Sequence, residues 1–308
     1  MSVVAGCSLL DGVILGADCR VTYEDTRGGL TYRDTVQKLV AVTPQNAIGF
    51  VGHITTASDL IGSMLKMCHR LERYNPITLL NWLPRHFKRR FKNLNGAEKV
   101  IFMVGSVIRD RPNIVEKAAA VRMVHDAFTS RPRGSINGLS PVLFQIMTFP
   151  SPYVVLPNEP WGMLYTMESP DFEPRHYKPL DYVAIGTGQE MQQFIGQVSD
   201  QIFSGMPMQH GDASWLGRSM NHFLRRKNIE SVGGMFPMVK LHRSGATHIT
   251  RRTCQLPNGP AHELAFENDR WVQRNITTGY EVKLALPWEL DQSIRTDHKF
   301  DDLRPSGL

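Results

Sequence analysis

Two short apolar runs open the chain, SVVAGCSL at 2–9 and GVILGA at 12–17, and Asp11-Gly12 between them is a strong hairpin signal. An opening hairpin commits the chain to antiparallel sheet from its first residues. The polar, glycine-containing stretch TYEDTRGGLTYRDT after Val21 is predicted to be a loop. Two further strands are expected at 38–42 and 47–51, turning through Thr43-Pro44-Gln45-Asn46. The period then changes from two to between three and four. Ile54, Ala57, Ile61, Met64, Leu65, Cys68 and Leu71 predict an amphipathic helix over 53–73. A second helix is predicted to run to about Lys92, kinked or divided at Pro84.

Farther along, strands are expected at 99–106, 142–148, 153–156, 163–167, 181–185 and 238–241, with strand-like pieces at 280–286. Helices are expected at 113–129, around Met191, Phe194, Ile195, Val198 and Ile202, and at 212–227. A loop is expected at 131–139 and a loose tail from Asp297. Runs of strands alternating with paired helices predict two stacked sheets with helices on both outer faces, not a βαβ alternation.

At 308 residues, 42% hydrophobic and 21% charged, the chain has the composition of a globular protein with a sizeable core. The first residues contain neither a basic region nor a long apolar stretch, and no segment is apolar enough for a membrane span, so no membrane association is expected. Cys7, Cys19, Cys68 and Cys254 form no C-x-x-C pair, which points away from a zinc site or a disulfide framework and toward a reducing cytoplasm. The net charge of +6 is densest between Arg85 and Lys92. There Phe87 and Phe91 continue the series Leu79, Leu83, so the cations are read as a solvated helix face and no nucleic-acid partner is expected.

The sequence contains no H-E-x-x-H, G-x-S-x-G or G-x-x-x-x-G-K-[ST], and its eleven histidines lack metal-ligand spacing. Neither a metal nor a cofactor is expected. The remaining candidate chemistry lies at the start of the chain. Removal of Met1 would give Ser2 both a hydroxyl and a free α-amine. An α-amine titrates at about 7.7–8.0 and can serve as a base near neutral pH. One residue then holds nucleophile and base together.

The segments SVVAG, DGVILGADCR, QKLVAV and AIGFVG occur in the order and near spacing of the proteasome β-subunit family, which the chain resembles over residues 2–60. The resemblance returns at YVAIGTGQE, residues 182–190. It implies an N-terminal-nucleophile hydrolase of the bacterial proteasome-like (Anbu or proteobacterial homologue) group. The implied fold is an α+β, four-layer αββα sandwich. The implied organisation is a hydrolase domain at 2–254, with an insertion around 95–140, and a C-terminal extension at 255–308 packing on the same domain.

By the same resemblance, Ser2 is the nucleophile, Lys38 the ammonium beside it and Asp18 the carboxylate that orients Lys38. Gly49 is the oxyanion-hole N–H, and Thr187 a hydroxyl near the α-amine. Arg20, Val21 and Ala47 would line the pocket for the substrate side chain, and Thr22 would bond the substrate backbone. The nucleophile is Ser where the family usually has Thr. The late D-S-x-S-G segment reads N-I-E-S-V-G-G, with Glu230 and Ser231 nearest to its polar positions.

The resulting expectation is a cytoplasmic peptidase that cleaves peptides or unfolded protein through an acyl-enzyme on Ser2. It would self-assemble into a ring or helical array, with any ATP-dependent unfoldase partner unknown. The alternatives are a catalytically silent, self-assembling subunit and a non-peptidase amidase of the same nucleophile class.

Overall fold

In the computed structural model the described residues are 2–9, 12–24, 29–68, 76–107, 162–177, 182–186, 232–233, 236–242, 245–249, 251–255 and 261–289. The opening hairpin forms as predicted. Strand β1 (Val3–Leu9) pairs antiparallel with β2 (Gly12–Ala17), placing Val4 opposite Ala17 and Leu9 opposite Gly12. Every residue of β2 is buried. A strand covered on both faces reads as a continuous apolar run rather than an alternation, as GVILGA does.

Around this hairpin, β10 (Tyr182–Gly186) pairs with the outer side of β1, and β11 (Met238–His242) with the outer side of β2. With β12 (Gly245–His248) they make a five-stranded sheet in the order β10-β1-β2-β11-β12. A second five-stranded sheet comprises β5 (Leu39–Thr43), β6 (Asn46–Gly52), β7 (Val100–Val107), β8 (Gly162–Glu168) and β9 (Arg175–Tyr177), in that order. One core, including Val4, Val13, Leu15, Leu39, Ala47, Met103 and Leu164, lies between the two sheets. The approach is close: a Cβ added to Gly105 would lie 2.8 Å from Val13 Cγ1.

On the opposite face of the second sheet lie helices α1 (Ile54–Cys68) and α2 (Pro76–Lys92). Ala57, Leu60, Ile61 and Met64 of α1, with Leu83 and Phe87 of α2, bury a stripe against Phe50, Phe102 and Tyr165. That stripe is what the 3.6-residue period foretold. Pro84 falls inside α2, which continues through it as one element. The cations of α2 stay wet as expected. Arg85, Arg89 and Lys92 are exposed, while Lys88 and Arg90 reach Asp171 and Asp59.

The four-layer αββα sandwich is not what the described residues form. They are mostly β: sixteen strands in four antiparallel sheets, with two named helices, both on one sheet. Two segments account for much of the difference. The stretch expected to be a loop is a hairpin, β3 (Arg20–Glu24) paired with β4 (Leu30–Asp34). The C-terminal segment, expected to mix strand pieces with turns, builds a four-stranded sheet. Its strands are β13 (Arg251–Gln255), β14 (Ala261–Glu267), β15 (Arg270–Asn275) and β16 (Glu281–Lys283).

That C-terminal sheet shares the main core through Leu264 and Trp271, joined by Leu284 just after β16. Strand β7, inside the range expected to be an insertion, is the central strand of the second sheet. The helices expected at 113–129, 191–202 and 212–227, the loop at 131–139, the strands at 142–148 and 153–156, and the tail from Asp297 lie outside the described residues. Among the described residues, no helix is long and apolar enough to cross a membrane.

Candidate functional site around Ser2

The hairpin register creates the site. Because Val4 faces Ala17, the residue after β2 comes to lie beside the residues before Val4. Asp18 and Val3 are joined there by two hydrogen bonds. The Val3 N–H donates to Asp18 Oδ1 at 2.9 Å, and the Asp18 N–H donates to the Val3 carbonyl at 3.1 Å. The Arg20 N–H adds a third, to Asp18 Oδ2 at 3.2 Å.

Lys38 enters just before β5, with its side chain almost wholly buried. Its Nζ lies 2.7 Å from Ser2 Oγ, 3.1 and 3.0 Å from the two Asp18 oxygens, and within bonding distance of the Arg20 carbonyl. An ammonium has three protons and no acceptor, so these three partners use one proton each. Ser2 Oγ is therefore the acceptor from Lys38, and its own proton is left for transfer to a base. Burial pushes the Asp18 carboxyl above its usual range; the Lys38 charge and the three donors pull the other way.

The structure thus brings Ser2, Asp18 and Lys38 together as expected, and places other candidates elsewhere. Gly49 is interior to β6, with β5 hydrogen-bonded on one side and β7 on the other. A Cβ there would meet Val4 Cγ1 at 2.7 Å, so the glycine lets two sheets approach. Ala47 faces the core between the sheets, whereas Val21 belongs to the cluster on the helix side with Val36 and Phe50.

The Arg20 guanidinium is engaged by Asp34, at 2.7 and 3.0 Å, and packs over Tyr32 and against Gly233. Thr22 pairs with Tyr32 in the β3–β4 hairpin, and its hydroxyl oxygen is buried without a hydrogen-bond partner. Thr187, Glu230 and Ser231 lie outside the described residues.

Two glycines emerge that sequence reasoning did not single out. Gly186, at φ +92°, faces Val3 across the β1–β10 ladder, and a Cβ on it would fall 1.8 Å from the Ser2 carbonyl oxygen. Gly52 ends β6 at φ +104°, directly before His53 and α1. The Phe50 N–H donates to the Lys38 carbonyl and the His53 N–H to the Lys99 carbonyl. Alternation along the strand directs the Gly52 N–H to the Lys38 side, just beyond the first residue of β5. The available signal was positional: Gly52 is the last residue before the helical period begins.

No protein-family model matches the chain, and no curated protein matches it.

Proposed function

We propose that the chain is an N-terminal-nucleophile peptidase that hydrolyses peptide bonds through an acyl-enzyme on Ser2. The carrying observation is the 2.7 Å approach of Lys38 Nζ to Ser2 Oγ, with Lys38 held by the fully buried Asp18. A buried ion pair is costly to assemble and is a weak source of stability. One that points its remaining proton at a serine oxygen at the start of a strand supports a catalytic use of that serine.

The mechanism requires a free α-amine on Ser2, so cleavage between Met1 and Ser2 is part of the proposal. The neutral amine takes the Ser2 hydroxyl proton as Oγ bonds to the substrate carbonyl carbon. The Lys38 ammonium stabilises the negative charge developing on Oγ and favours the neutral form of the amine. The Gly52 N–H is the candidate donor to the carbonyl oxygen as it becomes an oxyanion; one such donor lowers a barrier by about 3–4 kcal/mol.

Collapse breaks the C–N bond, and the leaving amine takes the proton from the α-ammonium. Water, deprotonated by the same amine, then cleaves the ester and regenerates Ser2. Assembly into a ring or helical array, a peptide or unfolded-protein substrate and a cytoplasmic setting belong to the same reading. Hydrolysis of fluorogenic peptides by the processed protein, lost in Ser2→Ala, is the expected result. Equal turnover by the Ser2→Ala variant would refute it.

A further inference from the structure

Gln37 and Lys38 are consecutive, both are almost completely buried, and they serve opposite sides of the chain. Lys38 bonds Ser2 and Asp18, while Gln37 Oε1 accepts the Trp271 backbone N–H from β15 at 3.4 Å. The same segment is held by backbone bonds to the stretch following β16. Val36 and Ala285 form a parallel bridge, with the Gln37 N–H donating to the Ala285 carbonyl at 2.9 Å and the Ala285 N–H to the Thr35 carbonyl at 2.8 Å.

The clamping stretch is itself tied down. The Leu284 N–H donates to the Trp271 carbonyl at 2.9 Å, and Ser58 Oγ of α1 donates to the Pro287 carbonyl. Glu289 pairs with Arg270 and accepts the Leu286 N–H at 3.1 Å. Trp271, Val36 and Leu284 are buried completely.

We propose that the C-terminal sheet is a positioning element of the Ser2 site, and that Gln37 is its positioning residue, fixing the Lys38 backbone from the face opposite Ser2. The inference rests on the peptidase reading for its consequence, but its mechanical part stands apart from catalysis. A lysine that must meet Ser2 Oγ, a carboxylate and a carbonyl at once tolerates little backbone movement, because displacement by about 1 Å is enough to cost two orders of magnitude in rate. The segment that carries it is bonded on one edge by a sheet more than 230 residues away in sequence, since Gln37 and Trp271 are separated by 234 positions.

The test compares Gln37→Leu, which removes the acceptor, with Gln37→Glu, which keeps it. For each, inactivation by a peptide β-lactone is resolved into a maximal rate and a half-saturating concentration, and deuterium exchange is followed across residues 35–43. The expected result for Gln37→Leu is a maximal rate at least tenfold lower, an unchanged half-saturating concentration and faster exchange at 35–43. Gln37→Glu recovers most of the rate and the protection.

An unchanged rate and unchanged exchange in Gln37→Leu overturn the proposal, as does equal impairment in both variants. If the wild-type protein forms no Ser2 adduct, the peptidase reading fails, and the exchange comparison still decides whether Gln37 fixes this segment.

Discussion

Val3 and Asp18 bond each other in both directions, amide to carboxylate at 2.9 Å and amide to carbonyl at 3.1 Å, so the residue after Ser2 is locked to the residue that holds Lys38. Replacing Asp18 with Asn therefore disturbs two things at once. It leaves the Lys38 ammonium buried without its counter-charge, a loss of about 3–5 kcal/mol for a broken buried pair. It also weakens the strand start that presents Ser2. Urea denaturation of Asp18→Asn is expected to show a stability drop of that order, and its rate of adduct formation on Ser2 a fall of at least a hundredfold.

Lys38→Arg tests whether charge alone suffices. A planar guanidinium cannot place one nitrogen against Ser2 Oγ, both Asp18 oxygens and the Arg20 carbonyl as the ammonium does. The variant is expected to keep its charge and lose at least a hundredfold in Ser2 reactivity. Near-wild-type reactivity would mean that the field, and not the position, of Lys38 matters.

Gly186→Ala is expected to be more damaging than a surface glycine substitution such as Gly279→Ala. Gly186 has both a positive φ and no room, with the Ser2 carbonyl 1.8 Å from the would-be Cβ; Gly279 shares the positive φ, but nothing lies within 4 Å of its Cβ position. Thermal unfolding of the two variants reads the difference directly. Gly279→Ala is expected to lose about 1 kcal/mol from backbone strain, and Gly186→Ala several times that.

Two histidines give a pH dependence with a definite sign. Loss of solvent contact pushes the buried His86 and the half-buried His248 below the usual imidazole range, with Arg89 and Arg90 adding to the effect at His86. A group whose folded pKa is depressed binds fewer protons in the folded than in the unfolded protein across the window between the two values. Stability is therefore fully present above about 6.5 and falls as pH drops through that value toward the folded pKa. The urea midpoint is expected to decline between pH 7 and pH 5. His86→Leu should decline less steeply, since His86 stacks on Trp82 at 4.3 Å and its Nδ1 is buried without a hydrogen-bond partner.

What could be read in the sequence follows burial. Strands β1 and β2 are covered on both faces and stand out as apolar runs, and α1 and α2 each bury one stripe and show the helical period. Ser2, Asp18 and Lys38 were legible through the resemblance carried by the segments around them; Ser2 precedes β1, Asp18 follows β2 and Lys38 precedes β5. The β3–β4 hairpin was not: Leu30 and Thr31 of β4 are exposed and Tyr32, Arg33 and Asp34 only partly buried, so no apolar alternation marks it.

The C-terminal sheet was hidden for a related reason. Its outer face carries Glu263, Glu267, Arg270 and Arg274, and Arg274 joins Glu263, Glu267 and Glu281 in one ion-pair cluster. Charged strands of this kind look like polar turns until their partners are known. The surroundings of Ala47 and Gly49 were not legible, because a strand residue's face depends on register, which a single residue's identity does not reveal.

Intact mass of the protein before and after treatment with a serine-reactive β-lactone, followed by peptide mapping, decides whether Ser2 is a nucleophile. Loss of Met1 and a single adduct on Ser2 are expected, with the adduct absent in Ser2→Ala and slowed in Asp18→Asn and Lys38→Arg. Retained Met1, or a processed protein that takes up no label at Ser2, would contradict that role for Ser2.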